Sequence, residues 1–406
     1  MEYVFSDRLK ALSGTATREI LKLTQGGDIL SFAGGLPARE CLPVGDIEAI
    51  LQELMQSGGL ARVLQYGISE GTAALRAAFG RVFLEDGIEA DPDETVIVSG
   101  GQQGLELCCK AFVNRGDAVL VEDPTYLAFL QIVKSYEGRP VGVRSTDEGL
   151  DLNDLEEKMK TLSPKLLYVV PTFSNPTGKT YTAKNRRALL ALAERYGVMI
   201  VEDDPYAKLR FSGQPVPPIK SLDKTGRVIY IQSLSKVFSP GLRVAAVAAA
   251  KPVAQKLVVG KQNTDLHTGA LSQYAAQRFL ESGKLNQNIA AGIHIYRERK
   301  EAMAAALDRY IPAGVCTRTD PEGGLFVWCE LDKRIDTDRL FARAVEQRIA
   351  FVPGRVFFAD GSGGNTLRLN FSNAPPKDID RGMEILGRLI GQTLANSAKI
   401  SYNKSE

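Results

Sequence analysis

Apolar runs rich in β-branched residues recur at 94–99, 118–121, 166–170 and 198–201, and again from Val228 onward. Each breaks off into a loop of polar, aromatic or glycine residues, so each predicts a strand. Helical periodicity follows the first run, with Leu105, Cys108, Cys109 and Phe112 on one face, and 187–196 forms the helical link between the runs at 166–170 and 198–201. Few folds accommodate strand, loop, helix and strand in alternation. The pattern predicts an α/β chain with a largely parallel sheet, since parallel neighbours need a crossover and that crossover is usually a helix. In such sheets ligands gather beyond the carboxyl ends of the strands.

A chain of 406 residues is too long for one ordinary core, so two domains are expected. Helices are expected over 15–24, 46–56, from Thr72, over much of 256–279, and over 289–308, where Ile293, Tyr296, Met303 and Leu307 make the apolar stripe. Beyond that long helix the pattern changes to shorter α+β elements at 324–331, 338–347 and 365–372. The expected division is a large domain over 46–290 and a small domain over 291–406, completed by the N-terminal segment 1–45. Residues 397–406 look like a frayed polar tail.

Charge and composition narrow the functional classes. A net charge of +2 gives no electrostatic case for nucleic acid or an anionic membrane. No apolar run is long enough to span a bilayer, and the N-terminus lacks the basic-then-apolar layout of a signal peptide. The five cysteines show no metal spacing and fit reduced thiols in a cytoplasmic protein. With only two histidines, His267 and His294, a histidine-rich metal site is not expected.

The stretch from Val228 to Val244 carries the sharpest chemical signal. An apolar strand gives way to small polar residues around Lys236, then a Pro240-Gly241 turn, then Arg243 and a second apolar run. A lysine between two buried strands is costly as a free ammonium. Held in a Schiff base, it loses that charge and becomes a covalent anchor. The bland alternative is a surface turn with a solvated lysine. The other strand ends decide between them. Gly101, Gln102, Ser233, Ser235 and Arg243 could surround a phosphate, the first two at a helix N-terminus. Asp203 could ionise against a ring nitrogen, Tyr206 and Asn175 could hydrogen-bond a phenolic oxygen, and Tyr126 could stack on a flat ring. One cofactor uses all of these together with an imine-forming lysine: pyridoxal 5′-phosphate.

The motifs Ser174-Asn-Pro-Thr-Gly178, Glu202-Asp-Asp-Pro-Tyr206, Ser233-Leu-Ser-Lys236 with Arg243, and Leu367-Arg-Leu-Asn370 resemble those of class I/II aminotransferases of fold type I. The resemblance runs through nearly the whole chain. It is nearest to the branch of 2-aminoadipate and kynurenine aminotransferases, through Arg18-Glu-Ile-Leu-Lys-Leu-Thr-Gln25, Ser31-Phe-Ala-Gly-Gly-Leu-Pro37, Asp265-Leu-His-Thr268 and 321–328. It implies a mostly parallel seven-stranded sheet between helices, with a smaller α+β domain. It also implies a Lys236 aldimine, Asp203 against the pyridine nitrogen, Asn175 and Tyr206 on the ring oxygen, Tyr126 on the ring face, and a ping-pong exchange with 2-oxoglutarate. Arg368, Asn175 and Gly35 are implied to bind substrate, and Arg18 to read a side-chain carboxylate. Tyr66 is implied to reach the phosphate of a second subunit, making a homodimer with shared sites. His267 and Trp328 are expected to be structural, and Gly323-Gly324 to serve a close backbone turn.

Two rivals remain at this level. A β-lyase or decarboxylase on the same fold would share Lys236 and Asp203. A regulator that joins this domain to a helix-turn-helix would carry an extra N-terminal domain, which is not expected where Ser31-Phe-Ala-Gly-Gly35 comes so early and no basic recognition helix precedes it.

Overall fold

The computed structural model describes residues 3–10, 12 and 29–402, with side chains described as far as residue 396. The strands in chain order begin with β1 (Leu30–Ser31), β2 (Thr95–Val98), β3 (Ala118–Asp123) and β4 (Arg139–Arg144). They continue with β5 (Leu166–Val169), β6 (Met199–Asp204), β7 (Val228–Ser233) and β8 (Ala245–Ala248). β2 to β8 form a seven-stranded sheet in the order β2-β8-β7-β6-β5-β3-β4. β3 runs parallel to β4 and β5, β5 to β6, and β6 to β7. β8 runs antiparallel to both β7 and β2. The carboxyl ends of β2, β3, β5, β6 and β7 therefore share one edge, and the start of β8 returns to it.

The helices that flank the sheet follow from capping and periodicity. They are α1 (Val44–Gln56), α2 (Ala73–Glu85), α3 (Gly101–Phe112), α4 (Leu127–Ser135), α5 (Leu152–Leu162) and α6 (Ala183–Tyr196). Thr182 opens α6 by accepting the Asn185 N–H at 3.2 Å, and Gly197 closes it at φ +70°. Strand side chains alternate between two buried faces. Val119, Val121, Tyr168, Val201 and Ile231 join one core; Leu120, Leu167, Val169 and Ile200 join another beneath α5 and α6. Burial on both faces explains why these strands read as unbroken apolar runs.

Beyond the sheet lie α7 (Lys251–Gln262), α8 (Ala270–Glu281) and the long α9 (Leu285–Tyr310). The helical stretch expected over 256–279 is thus two helices, parted by a turn around Asp265. Next come β9 (Cys316–Arg318), β10 (Phe326–Leu331), α10 (Thr337–Glu346), β11 (Ile349–Ala350), β12 (Val352–Pro353), β13 (Thr366–Asn370) and α11 (Pro376–Tyr402). β12-β13-β10-β9 make an antiparallel sheet, and β1 pairs in parallel with β11, so the N-terminal segment joins the last third of the chain. The expected frayed tail is corrected in part, because α11 continues to Tyr402. The helix expected over 15–24, and Arg18 with it, lies outside the described residues. A Cβ on Gly323 would run into the Phe173 ring, and Gly324 sits at φ +72°, so this pair does make a close turn. No helix among the described residues is long and apolar enough to cross a membrane.

Candidate active site

A cavity of about 470 Å³ opens over the shared strand edge. The end of β2 delivers Gly101 and Gln102, the end of β3 Tyr126, the loop after β5 Asn175, β6 and its loop Asp203 and Tyr206, and the β7–β8 connection Ser233, Ser235, Lys236 and Arg243. Gly35, just past β1, and Arg368, from the middle of β13, close it from the other side. The structure thus brings together every residue singled out from the sequence except two. Tyr66 does not line this cavity and is 80% exposed; Arg18 is not among the described residues.

Asp203 reaches the cavity because of strand alternation. Its neighbours turn to the opposite face: Glu202 accepts the Ile219 and Lys220 N–H groups, each at 2.8 Å, and Asp204 accepts from Tyr230 Oη at 2.7 Å. Asp203 accepts from Tyr168 Oη at 3.0 Å. Burial pushes its carboxyl up to about 7, with Asp204 adding to the rise, while the Tyr168 hydrogen bond and Lys236 pull the other way. A buried carboxylate so short of positive charge fits a bound cationic ring N–H.

Lys236 Nζ donates to the Gly35 carbonyl at 2.7 Å. Burial first, then the charges of Arg243 and Arg368, bring its amine down to about 8, with Asp203 opposing. The neutral, nucleophilic form is therefore present at ordinary pH. In the cofactor-free protein, acylation of Lys236 by an amine-directed reagent, followed by peptide mass spectrometry, should reach half its maximal rate at about pH 8. Surface lysines titrate at about 10.4. A Lys236 profile matching theirs would show that the cavity does not depress its pKa.

The far end is built for an anion. Gly100 precedes α3 at φ +82°, and a Cβ there would run into the Arg243 guanidinium. The N-terminal end of α3 therefore comes close to Arg243 with no side chain at Gly100 between them. Ser233 Oγ and Ser235 Oγ lie 3.0 Å apart beside them. Arg243 itself sits at φ +53°, an uncommon backbone state for a residue with a side chain. Tyr126 Oη donates to Gln102 Oε1 at 3.3 Å, and burial lifts its hydroxyl to about 12.

Arg368 is 3% exposed. Nη1 donates to Asn175 Oδ1 at 2.7 Å, Nη2 to the Ala33 carbonyl at 2.5 Å, and Nε is buried without a partner among the described residues. The guanidinium lies 4.2 Å from the Phe326 ring centroid, whose edge meets Tyr206 at 5.8 Å. Burial lowers its pKa to about 10. A buried cation with a free N–H and no carboxylate partner among the described residues suits a substrate carboxylate.

Sequence reasoning missed Tyr168, which hides in an apolar strand and is stacked on Phe129 at 4.0 Å, and Phe326, which looks like ordinary core. The signal for Tyr168 was its strand position, paired in register with Val201, two residues before Asp203 and on the same face. Trp328 packs against Phe357 and Phe358, and His267 meets Tyr66 edge-on.

A deep carboxylate, a low-pKa amine, an aromatic wall and an anion cradle together suit pyridoxal phosphate. Comparison with known proteins agrees. The description "Aminotransferase class I and II" matches residues 41–386. An aromatic-amino-acid aminotransferase of Thermococcus litoralis is 41% identical, the match covering 97% of this chain and 95% of that protein. A 2-aminoadipate transaminase of Thermus thermophilus is 42% identical over 95% of this chain and 96% of its own length. The crystal structure of a Thermus thermophilus α-aminoadipate aminotransferase, complexed with N-(5′-phosphopyridoxyl)-L-leucine, superposes with a TM-score of 0.89 at 39% identity, covering 96% of this chain and 98% of that one. The chain belongs to the class I and II aminotransferases. It is a pyridoxal-phosphate-dependent enzyme of fold type I.

Proposed function

We propose that this enzyme moves an amino group from a broad range of L-amino acids, 2-aminoadipate and aromatic ones among them, to 2-oxoglutarate in a ping-pong cycle. The observation that carries this reading is one cavity holding the Lys236 amine, the Asp203 carboxylate and the buried Arg368, whose Nε has no partner among the described residues. The cofactor supplies an electron sink for the bonds at the substrate's α-carbon. Everything else falls to the chain. Arg368, with Asn175, fixes the α-carboxylate by charge-assisted hydrogen bonds. Lys236 Nζ would take the proton from the α-carbon and return it two bonds further along, at C4′ of the cofactor. Asp203 keeps the ring nitrogen protonated, and Tyr168 keeps Asp203 oriented. Asn175 and Tyr206 bind the ring oxygen, Tyr126 covers the ring face, Gly35 lies against the substrate, and Gly101, Gln102, Ser233, Ser235 and Arg243 grip the phosphate.

A second copy of the chain completes the site in this reading. Leu60, Leu64, Tyr66, Ile68 and Leu271 are all exposed, an apolar group that a partner subunit would cover while Tyr66 reaches the partner's phosphate. The two relatives named for aromatic amino acids and for 2-aminoadipate support a broad donor range. Arg18 is assigned the side-chain carboxylate of acidic substrates.

The test is a donor panel. 2-Aminoadipate, phenylalanine and leucine should each shift the absorbance of the bound cofactor, and 2-oxoglutarate should reverse the shift with formation of glutamate. Release of carbon dioxide, or of ammonia without reversal, would instead identify a decarboxylase or β-lyase. The Arg18→Gln variant should raise KM for 2-aminoadipate and 2-oxoglutarate by roughly ten- to a hundredfold, while leaving leucine and phenylalanine unaffected with a non-acidic acceptor. Equal losses on both kinds of donor would remove Arg18 from specificity.

A further inference from the structure

Directly behind the anion cradle, and outside the cavity, lies a cluster that none of the roles above uses. Lys261, near the end of α7, has a fully buried side chain. Its ammonium donates to Gln103 Oε1 at 2.7 Å, to Asp265 Oδ1 at 2.8 Å and to Asp265 Oδ2 at 3.0 Å. An ammonium has three protons, so each has an acceptor. Gln103 Oε1 also accepts the Ser99 N–H at 2.8 Å, and Ser99 Oγ donates to Asp265 Oδ2 at 2.7 Å. Ser99 and Gln103 are the two residues that bracket Gly100-Gly101-Gln102. The circuit therefore clamps both ends of the segment that lies against the Arg243 guanidinium.

Packing alone does not explain a charge here. A buried ammonium is costly to desolvate, and an apolar side chain of similar size would fill the space as well. Nor is Lys261 needed to dock α7 on α3. Lys110 already does so through the Gly260 carbonyl at 3.1 Å and Thr264 Oγ1 at 2.8 Å. What the buried pair adds is specific to the cradle. Two consecutive glycines leave the backbone there free to swing, and an anion site made of amides binds well only when those amides are already aimed.

We infer that Lys261, Gln103 and Asp265 are positioning residues that hold the 100–102 segment in its phosphate-binding shape, so that this buried ion pair sets affinity for the phosphate end of the cofactor. The inference rests on the reading that Gly101, Gln102 and Arg243 grip that phosphate. Asp265 has a partly solvated side chain, so removing its partner does not strand a charge.

The experiment compares two ligands on the cofactor-free protein. Dissociation constants for pyridoxal 5′-phosphate and for pyridoxal, which lacks the phosphate, are measured by quenching of protein fluorescence. The comparison is made for wild type, Lys261→Met and Gln103→Leu, with thermal melting of each cofactor-free form as a folding control. Both variants should bind pyridoxal phosphate about tenfold more weakly, bind pyridoxal as wild type does, and yield less readily to competition by inorganic phosphate. Unchanged affinity for pyridoxal phosphate, or equal loss for both ligands, overturns the inference. If Lys261→Met does not fold, Gln103→Leu alone decides by the same comparison. Arg243→Ala separates the two layers of the argument. It should lose affinity for pyridoxal phosphate and keep that for pyridoxal, and if it does not, the phosphate assignment itself falls and the inference with it.

Discussion

Lys236→Ala should reduce turnover by at least roughly 10²–10⁴-fold, the contribution typical of one positioned proton-transfer group. The Nζ of Lys236 is held at 2.7 Å from the Gly35 carbonyl and is drawn down to about 8 by burial and by two neighbouring arginines. Asp203, Tyr126, Arg243 and the amides of α3 are untouched by the substitution, so the variant should still retain pyridoxal phosphate noncovalently. The check is single-turnover absorbance spectroscopy with an amino donor, alongside measurement of bound cofactor. A variant that keeps the cofactor and loses the reaction is the expected result. Near-normal turnover, or hydride reduction fixing the cofactor to another lysine, would remove Lys236 from the mechanism.

Asp203→Asn should slow the amino-donor half-reaction by roughly 10²–10³-fold while leaving the cofactor bound. Asparagine keeps the shape and can still accept the Tyr168 hydroxyl, so what disappears is the negative charge. A charge pair about 4 Å apart at an effective dielectric of about 20 is worth about 4 kcal/mol, which sets the scale of the loss. Two other acids stand next to it in sequence, and both are already committed elsewhere. Glu202 holds the first two amides of a short helix, Ile219–Leu222, and Asp204 holds Tyr230 and the Ala207 amide. Substituting either should therefore lower the melting temperature more than it lowers the rate constant. Rapid-mixing kinetics with excess donor distinguishes the cases, and a wild-type rate in Asp203→Asn would reject the assignment.

The legibility of these residues in the amino-acid sequence has a physical origin in particular elements. β5, β6 and β7 are short apolar runs that stop in motifs unlike any core sequence, so Asn175, Asp203 and Lys236 stand out by contrast. The parallel sheet does the assembling, since strands of one sense put their ends on one edge. Other features are hidden for equally physical reasons. β4 mixes Arg139, Pro140 and Gly142 into its six residues and has no clear periodicity. The β1–β11 pairing joins two-residue strands from opposite ends of the chain, and nothing local encodes it. Tyr168 looks like core because most of it is core; only its hydroxyl works. Lys261 sits in a helix whose pattern gives no sign that an ammonium would be buried. Tyr66 is singled out by resemblance alone, and it stands 80% exposed outside the cavity.

The alternation of Glu202, Asp203 and Asp204 across β6 has a consequence for how such a chain can vary. Loops after the strands can lengthen or shorten at modest cost, which leaves room for new substrate ranges. A single inserted or deleted residue before Asp203 within β6 is another matter. It would turn the cavity acid to the outer face and offer a neighbour with the wrong partners in its place. Tolerance to length changes should thus fall sharply on entering this strand and recover on leaving it, independent of how exposed each position is.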